Sequence, residues 1–453
     1  MLNEKIFREY DIRGVADRDL PHNVVSKLGR AIGSYVKRKG GKTLTVGRDC
    51  RISSDRIRQS LIDALLSTGV NVIDIGLVPT PLLYFSVFEL NSDGGIMITG
   101  SHNPPEHNGF KICVGKTTIH GEEIQYLKQI IQKDSYESGK GTLSEKDIKP
   151  LYTSMILKNI KHPLNLKVCV DSGNGMGGMI GPEIFRKLGC EVVELFSDLD
   201  GRFPNHHPDP TVIENLSFLV EKVKQTNAVV GIGFDGDADR IGVVDPSGKP
   251  IYGDELLVIY AREILKENSG ATIISEVKAS HRLFNDIALH GGRPILWKTG
   301  HSLIKAKMKE EGALLAGEMS GHIFFNDRYY GFDDAIYAAA RLLEILAINK
   351  KTTAELITDL PVSFSTPEIR KDCPDEIKFT VVERALKQFQ SQGLKVNSID
   401  GARVEFGDGW GLVRASNTQP VLVLRFEASS QDRLNEIRSR LENTVSSLLK
   451  ELV

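Results

Sequence analysis

Apolar and polar positions fall into blocks along this chain, and one order of blocks occurs three times. Each begins with a short apolar run that ends in a polar loop, continues into a helix-like segment closed by a glycine, and returns to an apolar run. The first runs are LTVGRD (44–49), LKVCVD (166–171) and TIISEV (272–277), and the returning runs lie in TGVNVIDIG (68–76), LGCEVVEL (188–195) and GGRPILWKTG (291–300). The order strand, loop, helix, strand predicts mostly parallel α/β sheets.

The repetition predicts three related mixed α/β domains, at residues 1–150, 151–250 and 251–365. A fourth segment, 366–453, has a different pattern, in which strands precede a closing helix. The apolar residues of that helix follow helical spacing and are Leu434, Ile437, Leu441, Val445 and Leu448. We therefore expect a C-terminal α+β domain in which this apolar stripe faces a core.

Composition narrows the class of protein. Of the 453 residues 41% are hydrophobic and 26% charged, and the net charge of −2 comes from scattered groups. This balance favours neither a nucleic-acid partner nor a membrane partner. The first residues lack the apolar core of a signal peptide, and the five cysteines form no CxxC pair. Reduced thiols and a cytoplasmic location are therefore expected. The protein is expected to be a monomer or a homodimer.

The stretch 99–105 carries the first candidate chemistry. An apolar run leads into a loop that presents the hydroxyl of Ser101 between Gly100 and His102. Glycine lets the backbone turn, and Pro104 keeps a helix or strand from resuming at once. The loop does not have the spacing of the G-x-S-x-G acyl-transfer elbow. It is either a polar turn or a site where Ser101 carries a phosphoryl group, and the second interpretation needs a metal and a phosphate clamp elsewhere.

A second motif, DGDAD at 235–239, directly follows the apolar run 229–234. If a tight loop brought its three carboxylates to ~4 Å, each pair would repel by about 1 kcal/mol in water and about 4 kcal/mol at an effective dielectric of 20. Oxygen-only ligands are what a hard cation requires, so a Mg²⁺ site is favoured over a solvated acidic turn. An EF-hand is excluded, because Arg240 and Pro246 stand where that loop needs Gly and Glu.

Two further loops supply groups that suit a sugar phosphate. The RASNT segment at 414–418 offers a guanidinium, hydroxyls, an amide and backbone donors, as a phosphate site requires. Glu318 and Ser320 stand two residues apart, so on an extended segment their side chains point the same way and fit adjacent sugar hydroxyls. Each loop by itself is equally compatible with a polar turn or the end of a strand.

Five motifs together resemble one family. FREYDIRG (7–14), TGSHNPPEHNGFK (99–111), FDGDADR (234–240), GEMSGH (317–322) and RASNT (414–418) occur in the order and spacing of the α-D-phosphohexomutases. The resemblance runs from Phe7 to the C-terminal helix, and it is strongest to bacterial members acting on mannose and glucose phosphates. It implies four domains around a central active-site cleft, with hexose phosphates as small-molecule partners. It also implies Mg²⁺ as cofactor and glucose or mannose 1,6-bisphosphate as activator and intermediate.

The resemblance also assigns roles to residues. Ser101 would carry the phosphoryl group, and Lys111 with Arg13 would handle the acceptor proton. His301 and His102 are further catalytic candidates. Base work by Lys111 would require cationic neighbours or burial that lower its pKa. The implied Mg²⁺ ligands are Ser101, Asp235, Asp237 and Asp239. The implied substrate-binding residues are Tyr10, Arg240, Lys278, Lys298, Glu318, Ser320, His322, Arg414, Ser416, Asn417 and Thr418.

The implied activity interconverts hexose 1-phosphate and hexose 6-phosphate through a phosphoserine and a 1,6-bisphosphate that reorients between two transfers. Phosphoglucosamine mutases tend to have Gln at the position of Met319 and Ala at that of Gly100, and this chain differs at both. Mannose and glucose differ only at C2, so a site that holds O3 and O4 is expected to accept both.

One alternative within the family and three from other classes remain. A phosphoglucosamine mutase is the alternative within the family. A D-x-D phosphatase would use Asp235 as nucleophile, although Asp239 stands where such enzymes usually have Thr or Val. The GxGxxG at 173–178 suggests a dehydrogenase, yet the other two repeats lack it. A non-catalytic sugar-phosphate sensor would not need Ser101, Lys111 and Arg13 together.

Overall fold

The computed structural model describes residues 2–417 and 419–452, and its first unit is built on a seven-stranded sheet. The strands are β1 (Ile12–Val15), β2 (Thr43–Arg48), β3 (Asn71–Leu77), β4 (Gly94–Ile98), β5 (His107–Val114), β6 (Thr117–Thr118) and β7 (Leu143–Glu145). The helices are α1 (Ala16–Asp19), α2 (His22–Arg38), α3 (Ser54–Ser67), α4 (Thr80–Glu89) and α5 (Glu122–Gln132), with a 3₁₀ turn at Glu4–Ile6. The spatial order is β1-β5-β4-β2-β3-β7, and β6 pairs with β5.

The second unit has a five-stranded sheet, and the third has a four-stranded sheet. Elements of the second unit are α6 (Lys149–Asn159), β8 (Lys167–Asp171), α7 (Gly181–Lys187), β9 (Glu191–Leu195), α8 (Ser217–Thr226), β10 (Val230–Phe234), β11 (Ile241–Val244) and β12 (Pro250–Ile251), with 3₁₀ turns at Met176–Met179 and Ile213–Leu216. Elements of the third are α9 (Gly253–Glu267), β13 (Thr272–Glu276), α10 (His281–Leu289), β14 (Arg293–Trp297), α11 (His301–Glu311), β15 (Leu315–Gly317), β16 (Ile323–Phe325), α12 (Ala335–Asn349) and α13 (Thr353–Leu356).

The three repeated sequence blocks form equivalent parts of these sheets. Each central strand (β2, β8, β13) pairs in parallel with the next strand along the chain and with a third strand, β4, β10 or β15. The third strand then pairs antiparallel with its successor, β5, β11 or β16. The prediction of three related α/β domains is confirmed. The sheets are mixed, because the last connection is a short loop and a parallel crossover needs a dozen or more residues.

That short connection is where the candidate motifs lie. Residues 99–106 join β4 to β5, residues 235–240 join β10 to β11, and residues 318–322 join β15 to β16. Carboxyl ends of parallel strands share one edge of a sheet, and ligand sites of α/β proteins gather there. The same edge of each of the three units therefore presents one candidate motif.

The fourth unit is an antiparallel sheet covered by two helices. Its elements are β17 (Phe364–Ser365), β18 (Ile369–Asp372), α14 (Lys378–Ser391), β19 (Lys395–Asn397), β20 (Ala402–Glu405), β21 (Gly409–Ala415), β22 (Val421–Ala428) and α15 (Gln431–Leu452). All five residues of the predicted apolar stripe on α15 are buried in the core of this unit. The predicted α+β architecture is confirmed.

A large hydrophobic core joins the first three units, and a smaller apolar contact joins the third to the fourth. One core extends through all three and includes Phe85 of α4, Phe185 of α7 and Tyr260 of α9. The fourth unit has its own core. It meets the third through Trp410 of β21, which is fully buried and packs with Val277. The guanidinium of Arg403 lies 3.7 Å from the centroid of that indole ring and donates to the carbonyl oxygens of Val277 and Ala279.

Other features of the described residues bear on the sequence-based expectations. None of the five cysteines, all of which are described, forms a disulfide bond. Among the described helices, none has the length and apolar content needed to cross a bilayer. Strand β12 crosses the expected boundary at residue 250, and strand β17 ends at the expected boundary at residue 365. The four sets of domain boundaries stay predictions.

Candidate active site

The serine loop and the acidic loop meet directly. The hydroxyl of Ser101 donates to Oδ2 of Asp235 at 3.0 Å, although the two residues are 134 positions apart. Ser101 is buried, and its φ of +50° places it in the left-handed region that non-glycine residues seldom occupy. Its N–H donates to Oγ1 of Thr99 at 2.8 Å. The loop thus holds one hydroxyl in a strained conformation against the carboxylates of another unit.

Three buried carboxylates form the acidic cluster. Asp235, Asp237 and Asp239 are each fully buried, and one ligand oxygen from each lies within 4.8 Å of the others. Burial, with the neighbouring Asp239 and Asp237 carboxylates, raises the pKa of Asp235 well above its usual range. Burial works against ionisation of Asp237 too, but the Lys111 ammonium outweighs it and lowers the pKa of that carboxyl.

The cluster fits a hard divalent cation. Oδ1 of Asp237 is buried and has no hydrogen-bond partner among the described residues. An unpartnered buried carboxylate oxygen is costly unless a cation lies beside it. The donor set contains oxygen only, which Mg²⁺ prefers to softer ions. The residues present therefore match a metal site, and the hydroxyl of Ser101 borders it.

Lys111 of β5 supplies positive charge to the same cluster. Its ammonium lies 2.7 Å from Oδ2 of Asp237 and also contacts Oδ2 of Asp239. Burial alone would lower the pKa of Lys111, but the two carboxylates outweigh burial and raise it. Lys111 would need a lowered pKa to act as a general base, and in this arrangement its pKa is raised instead. Lys111 holds its proton here.

An arginine and a histidine lie beside the Ser101 hydroxyl and its loop. Arg13 donates from Nε to Asp11 at 2.6 Å and from Nη1 to Oδ1 of Asn103 at 3.3 Å, so it lies against the loop. Nδ1 of His102 is 3.2 Å from the hydroxyl of Ser101. Burial, followed by the charges of Arg240 and Arg13, lowers the pKa of His102 well below its usual range. His102 is therefore neutral.

The loop of residues 318–322 brings the Glu318 carboxylate and a charged His322 imidazole to the acidic cluster. Nδ1 of His322 lies 3.1 Å from Oε2 of Glu318 and 3.0 Å from Oγ of Ser320, and its Nε2 lies 3.4 Å from Asp239. Burial opposes protonation, but these carboxylates raise the pKa of His322 to about 9. Nε of Arg240 is 3.4 Å from the same ring. The pair is a local concentration of positive charge suited to a phosphate.

His301, the first residue of α11, lies behind His322. The two rings stack with centroids 5.6 Å apart. Nδ1 of His301 faces Oδ2 of Asp333 at 3.6 Å, and Lys305 binds the other oxygen of Asp333 at 2.9 Å. Burial, with Lys305 as the next cause, lowers the pKa of His301 well below its usual range. A neutral imidazole can accept a proton.

The fourth unit contacts the first and third units near its phosphate-type loop, the RASNT segment. Nδ2 of Asn417 donates to the hydroxyl of Tyr10 at 2.7 Å, and that hydroxyl donates to the carbonyl of Thr299 at 2.7 Å. Nε of Arg414 donates to Asp400 at 2.7 Å, and Asp400 also accepts from the N–H of Thr299. Ser416 is buried and accepts from the N–H of Gln419, whereas Thr418 lies outside the described residues.

The two remaining predicted lysines differ in position. Lys278 is buried and pairs with Glu368 of the fourth unit at 3.0 Å and with Glu276 at 3.7 Å. Burial opposes its charge, but these carboxylates raise the pKa of Lys278. Lys298 is exposed; burial raises the pKa of Glu9, and the charges of His120 and Lys298 oppose that rise without cancelling it. Lys298 thus lies outside the buried cluster.

Sequence reasoning missed several residues of the site. Arg51 lies under the serine loop, Asp333 faces His301, and Glu276 accepts from the N–H groups of Lys278 and Met319. One signal existed for the first: Arg51 follows the strand end LTVGRD, at the sheet edge that carries the other motifs. For Asp333 and Glu276, the adjacent sequence does not indicate the groups that they contact in the structure.

The GxGxxG segment has a packing role. A Cβ atom on Gly175 would lie 2.7 Å from the carbonyl oxygen of Gly236, so only glycine permits this approach to the acidic loop. The N–H of Met176 donates to the same oxygen at 2.9 Å. These contacts indicate that the segment supports the acidic loop, because glycine lets two backbone segments approach closely.

Similarity to known proteins covers nearly all of the chain. Models of phosphoglucomutase/phosphomannomutase match in four parts: alpha/beta/alpha domain I at residues 4–138, domain II at 150–248, domain III at 252–364 and the C-terminal domain at 368–444. A phosphomannomutase/phosphoglucomutase of Pseudomonas aeruginosa is 47% identical over 447 residues, which are 99% of this chain and 96% of that protein. A phosphoglucomutase of Neisseria gonorrhoeae is 43% identical, with 98% of each chain covered.

The fold has a counterpart among solved structures. The crystal structure of a phosphoglucomutase/phosphomannomutase family protein from Burkholderia thailandensis matches with a TM-score of 0.93 and 44% identity, covering 99% of this chain and 98% of that one. The family motifs, the four sheets and the meeting of their loops agree with these matches. This chain belongs to the phosphoglucomutase/phosphomannomutase family.

Proposed function

We propose that the chain interconverts the 1-phosphate and 6-phosphate of mannose and of glucose, through a phosphoserine at Ser101. The relatives' names supply the class of substrate. The observation that carries the proposal is the contact between the Ser101 hydroxyl and the buried acidic cluster. A phosphoryl carrier needs a cation beside its phosphoryl oxygens, and a hydroxyl in contact with an oxygen-only acidic cluster supports such an arrangement.

Each transfer exchanges one P–O bond for another. The bond between phosphorus and Oγ of Ser101 breaks as a bond forms from the sugar hydroxyl oxygen to phosphorus. His301, neutral and buried, would accept the proton of that hydroxyl, and Lys111, which carries a proton, would donate to the departing Oγ. Arg13 and His102 border the serine loop and would orient the phosphoryl group.

Mg²⁺ is the proposed cation, held by Asp235, Asp237 and Asp239 together with an oxygen of phosphorylated Ser101. When bound, it would neutralise charge that develops on the transferring phosphoryl oxygens. Glucose or mannose 1,6-bisphosphate is the proposed intermediate and activator, because one transfer from Ser101 to a hexose monophosphate yields it.

The bisphosphate must turn over so that its other phosphate can return to Ser101. A site that accepts both orientations can hold only what they share, a distant phosphate and the central hydroxyls. Arg414, Ser416, Asn417 and Thr418 are the proposed grip on the phosphate, with Lys278, Arg240, His322 and Lys298 as further positive contacts and Tyr10 anchoring the loop. Glu318 and Ser320 are the proposed grip on the hydroxyls. Opening of the fourth unit would free the intermediate to rotate.

A coupled assay with mannose 1-phosphate and glucose 1-phosphate, Mg²⁺ and trace bisphosphate tests the proposal. We expect turnover of both sugars. Ser101→Ala should lower kcat at least a thousandfold, because removal of a nucleophile removes the covalent route. Ser144→Ala, on the exposed strand β7, is the matched control.

Turnover of glucosamine 6-phosphate alone would reject the choice of sugars. Folded Ser101→Ala protein that interconverts the hexose phosphates at the wild-type rate would reject the phosphoserine. Hydroxylamine treatment of labelled protein separates the D-x-D alternative, since an aspartyl phosphate is cleaved and a phosphoserine survives.

A further inference from the structure

One buried guanidinium lies beneath the serine loop. Arg51, two residues past Asp49 at the end of β2, is only 3% exposed as a residue and its side chain is fully buried. Its Nη2 donates to the carbonyl oxygens of Ser101 at 2.7 Å and Asn103 at 2.6 Å. Its Nη1 donates to those of Pro104 at 2.5 Å and His107 at 2.9 Å. Three carbonyls of the serine loop and that of His107, the first residue of β5, thus converge on one side chain.

The carboxylate of Asp49 completes this support. Its Oδ2 lies 3.2 Å from Nε of Arg51 and accepts from the N–H of Gly100 at 3.2 Å. Its Oδ1 accepts from the N–H of Arg51 and from the hydroxyl of Ser54. The two charges are therefore paired inside the protein, and the loop backbone is bound from both by hydrogen bonds to charged groups, which are stronger than neutral ones.

Contacts from two directions fix the plane of the guanidinium. A Cβ atom on Gly100 would lie 2.6 Å from Cζ of Arg51, so the loop backbone presses against it. The ring of Phe203, from the second unit, has its centroid 5.1 Å from the same Cζ. Arg51 therefore also contacts the unit that carries the acidic cluster.

We infer that Arg51 is a positioning residue for the phosphoryl-carrying hydroxyl of Ser101. The inference rests on the proposed function, and it assigns to that reaction a residue whose hydrogen bonds go to backbone carbonyls around Ser101 rather than to the Ser101 hydroxyl or the acidic cluster. The left-handed φ of Ser101 is unfavourable for a non-glycine residue and persists only where surrounding contacts impose it. The bond from Arg51 to the Ser101 carbonyl is such a contact, made at the strained residue itself.

This geometry has a consequence for rate. Transfer requires the serine oxygen, the phosphorus and the sugar oxygen to be nearly in line, and an error of about 1 Å can cost about a hundredfold. The groups assigned to sugar binding lie in other loops. Loss of Arg51 should therefore lower kcat for mannose 1-phosphate about a hundredfold and change KM less than threefold.

The test uses the full-length protein with Arg51→Lys and Arg51→Ala. Lysine keeps the charge but cannot reach four carbonyls with a planar fork, so both variants should lose kcat. Arg56→Ala is the matched control, because Arg56 also donates to a backbone carbonyl, that of Leu20, but lies away from the loop. It should keep wild-type kcat.

A double-mutant cycle separates positioning from general destabilisation. Gly100→Ala should lose activity because its Cβ would lie 2.6 Å from Cζ of Arg51 and 2.8 Å from the carbonyl oxygen of His107. In Gly100→Ala/Arg51→Ala the first clash is removed and the second remains, so the loss should be smaller than the product of the two single losses. Losses that multiply instead would overturn the inference, because they would mean that the two residues act independently.

Amide hydrogen exchange gives a readout that does not depend on turnover. The N–H groups of Asn103 and His107 bond within the loop whose carbonyls Arg51 holds. Their exchange should accelerate at least tenfold in Arg51→Ala, with core strands such as β4 unchanged. Unchanged loop exchange, or wild-type kcat in Arg51→Ala, would overturn the inference. Absence of turnover in the wild-type protein would reject the proposed function, and loop exchange would still decide the role of Arg51.

Discussion

Oδ2 of Asp237 accepts hydrogen bonds from both Lys111 and Thr80, two residues of the first unit, while its Oδ1 has no partner among the described residues. One carboxylate therefore joins two units through one oxygen and leaves the other available to a cation. The lysine and the cation site share a single anionic cluster, so changes to either should alter the other.

Asp237→Asn should weaken metal binding. The amide keeps an oxygen but loses the charge that attracts a dication, so the Mg²⁺ concentration for half-maximal turnover should rise at least tenfold. Titration of chelator-treated protein with Mg²⁺ measures it. Asp245→Asn, another buried carboxylate that only holds a turn, is the control. An unchanged Mg²⁺ requirement in Asp237→Asn would remove Asp237 from the ligand set.

Lys111→Met should destabilise the protein in a metal-dependent way. Removal of one partner from a buried ion pair costs about 3 to 5 kcal/mol because the carboxylates are left unpaired. Mg²⁺ supplies positive charge to the same oxygens, so the loss in unfolding free energy should be smaller at saturating Mg²⁺ than in chelator. Urea denaturation under both conditions measures it.

Lys128→Met provides the comparison, because Lys128 pairs with an exposed Glu4 at 3.5 Å and such pairs contribute little. It should change unfolding free energy by less than about 1 kcal/mol in either condition. Equal destabilisation of Lys111→Met with and without Mg²⁺ would contradict a shared site.

Asp334 should give stability a dependence on pH. Burial raises its pKa to about 6, against the hydroxyl donors Tyr329 and Tyr152, so the folded protein keeps a proton that the unfolded chain releases near pH 4. The stabilising contribution is complete below about pH 4 and is lost as pH rises through about 6. Relative to Asp334→Asn, the unfolding free energy of the wild-type protein should fall by about 3 kcal/mol between about pH 4 and pH 7.

Denaturant titrations at several pH values measure this difference, and groups common to both proteins cancel. A difference between wild type and Asp334→Asn that stays constant across the range would show that Asp334 titrates normally.

Tyr10→Phe should weaken substrate retention. The change removes the hydroxyl that Asn417 and the Thr299 carbonyl share, so the phosphate-type loop loses its bond to the first unit. One to two hydrogen bonds of about 1 kcal/mol each correspond to a rise of about 5-fold to 30-fold in KM for hexose phosphates. Steady-state kinetics measure it, and Tyr126→Phe on the surface of the first unit should leave KM unchanged.

Residues were predictable where the information lies close together in the chain. The run before Asp235 is apolar and the carboxylates follow at once, so a buried strand ending in an acidic loop could be inferred without knowing the partner loop. The stripe on α15 was predictable for the same reason, since helical spacing alone determines which side chains share a face.

Other parts depend on contacts that no local pattern encodes. The carbonyls that Arg51 binds lie 50 to 56 positions further along the chain. The carboxylate of Asp237 raises the pKa of Lys111 by lying next to its ammonium, although the two residues are 126 positions apart in the chain. The spatial order of the strands within each sheet depends on such contacts too, because an apolar run does not determine which strand pairs with it.

Trp410 gives the joint between the third and fourth units an optical property. The chain has two tryptophans, and this one is fully buried, beside Arg403 of its own unit and Val277 of the third. Indole emission shifts to longer wavelength when water reaches the ring. Any swing that parts the two units there would change the intrinsic fluorescence, so the protein carries its own reporter for that motion.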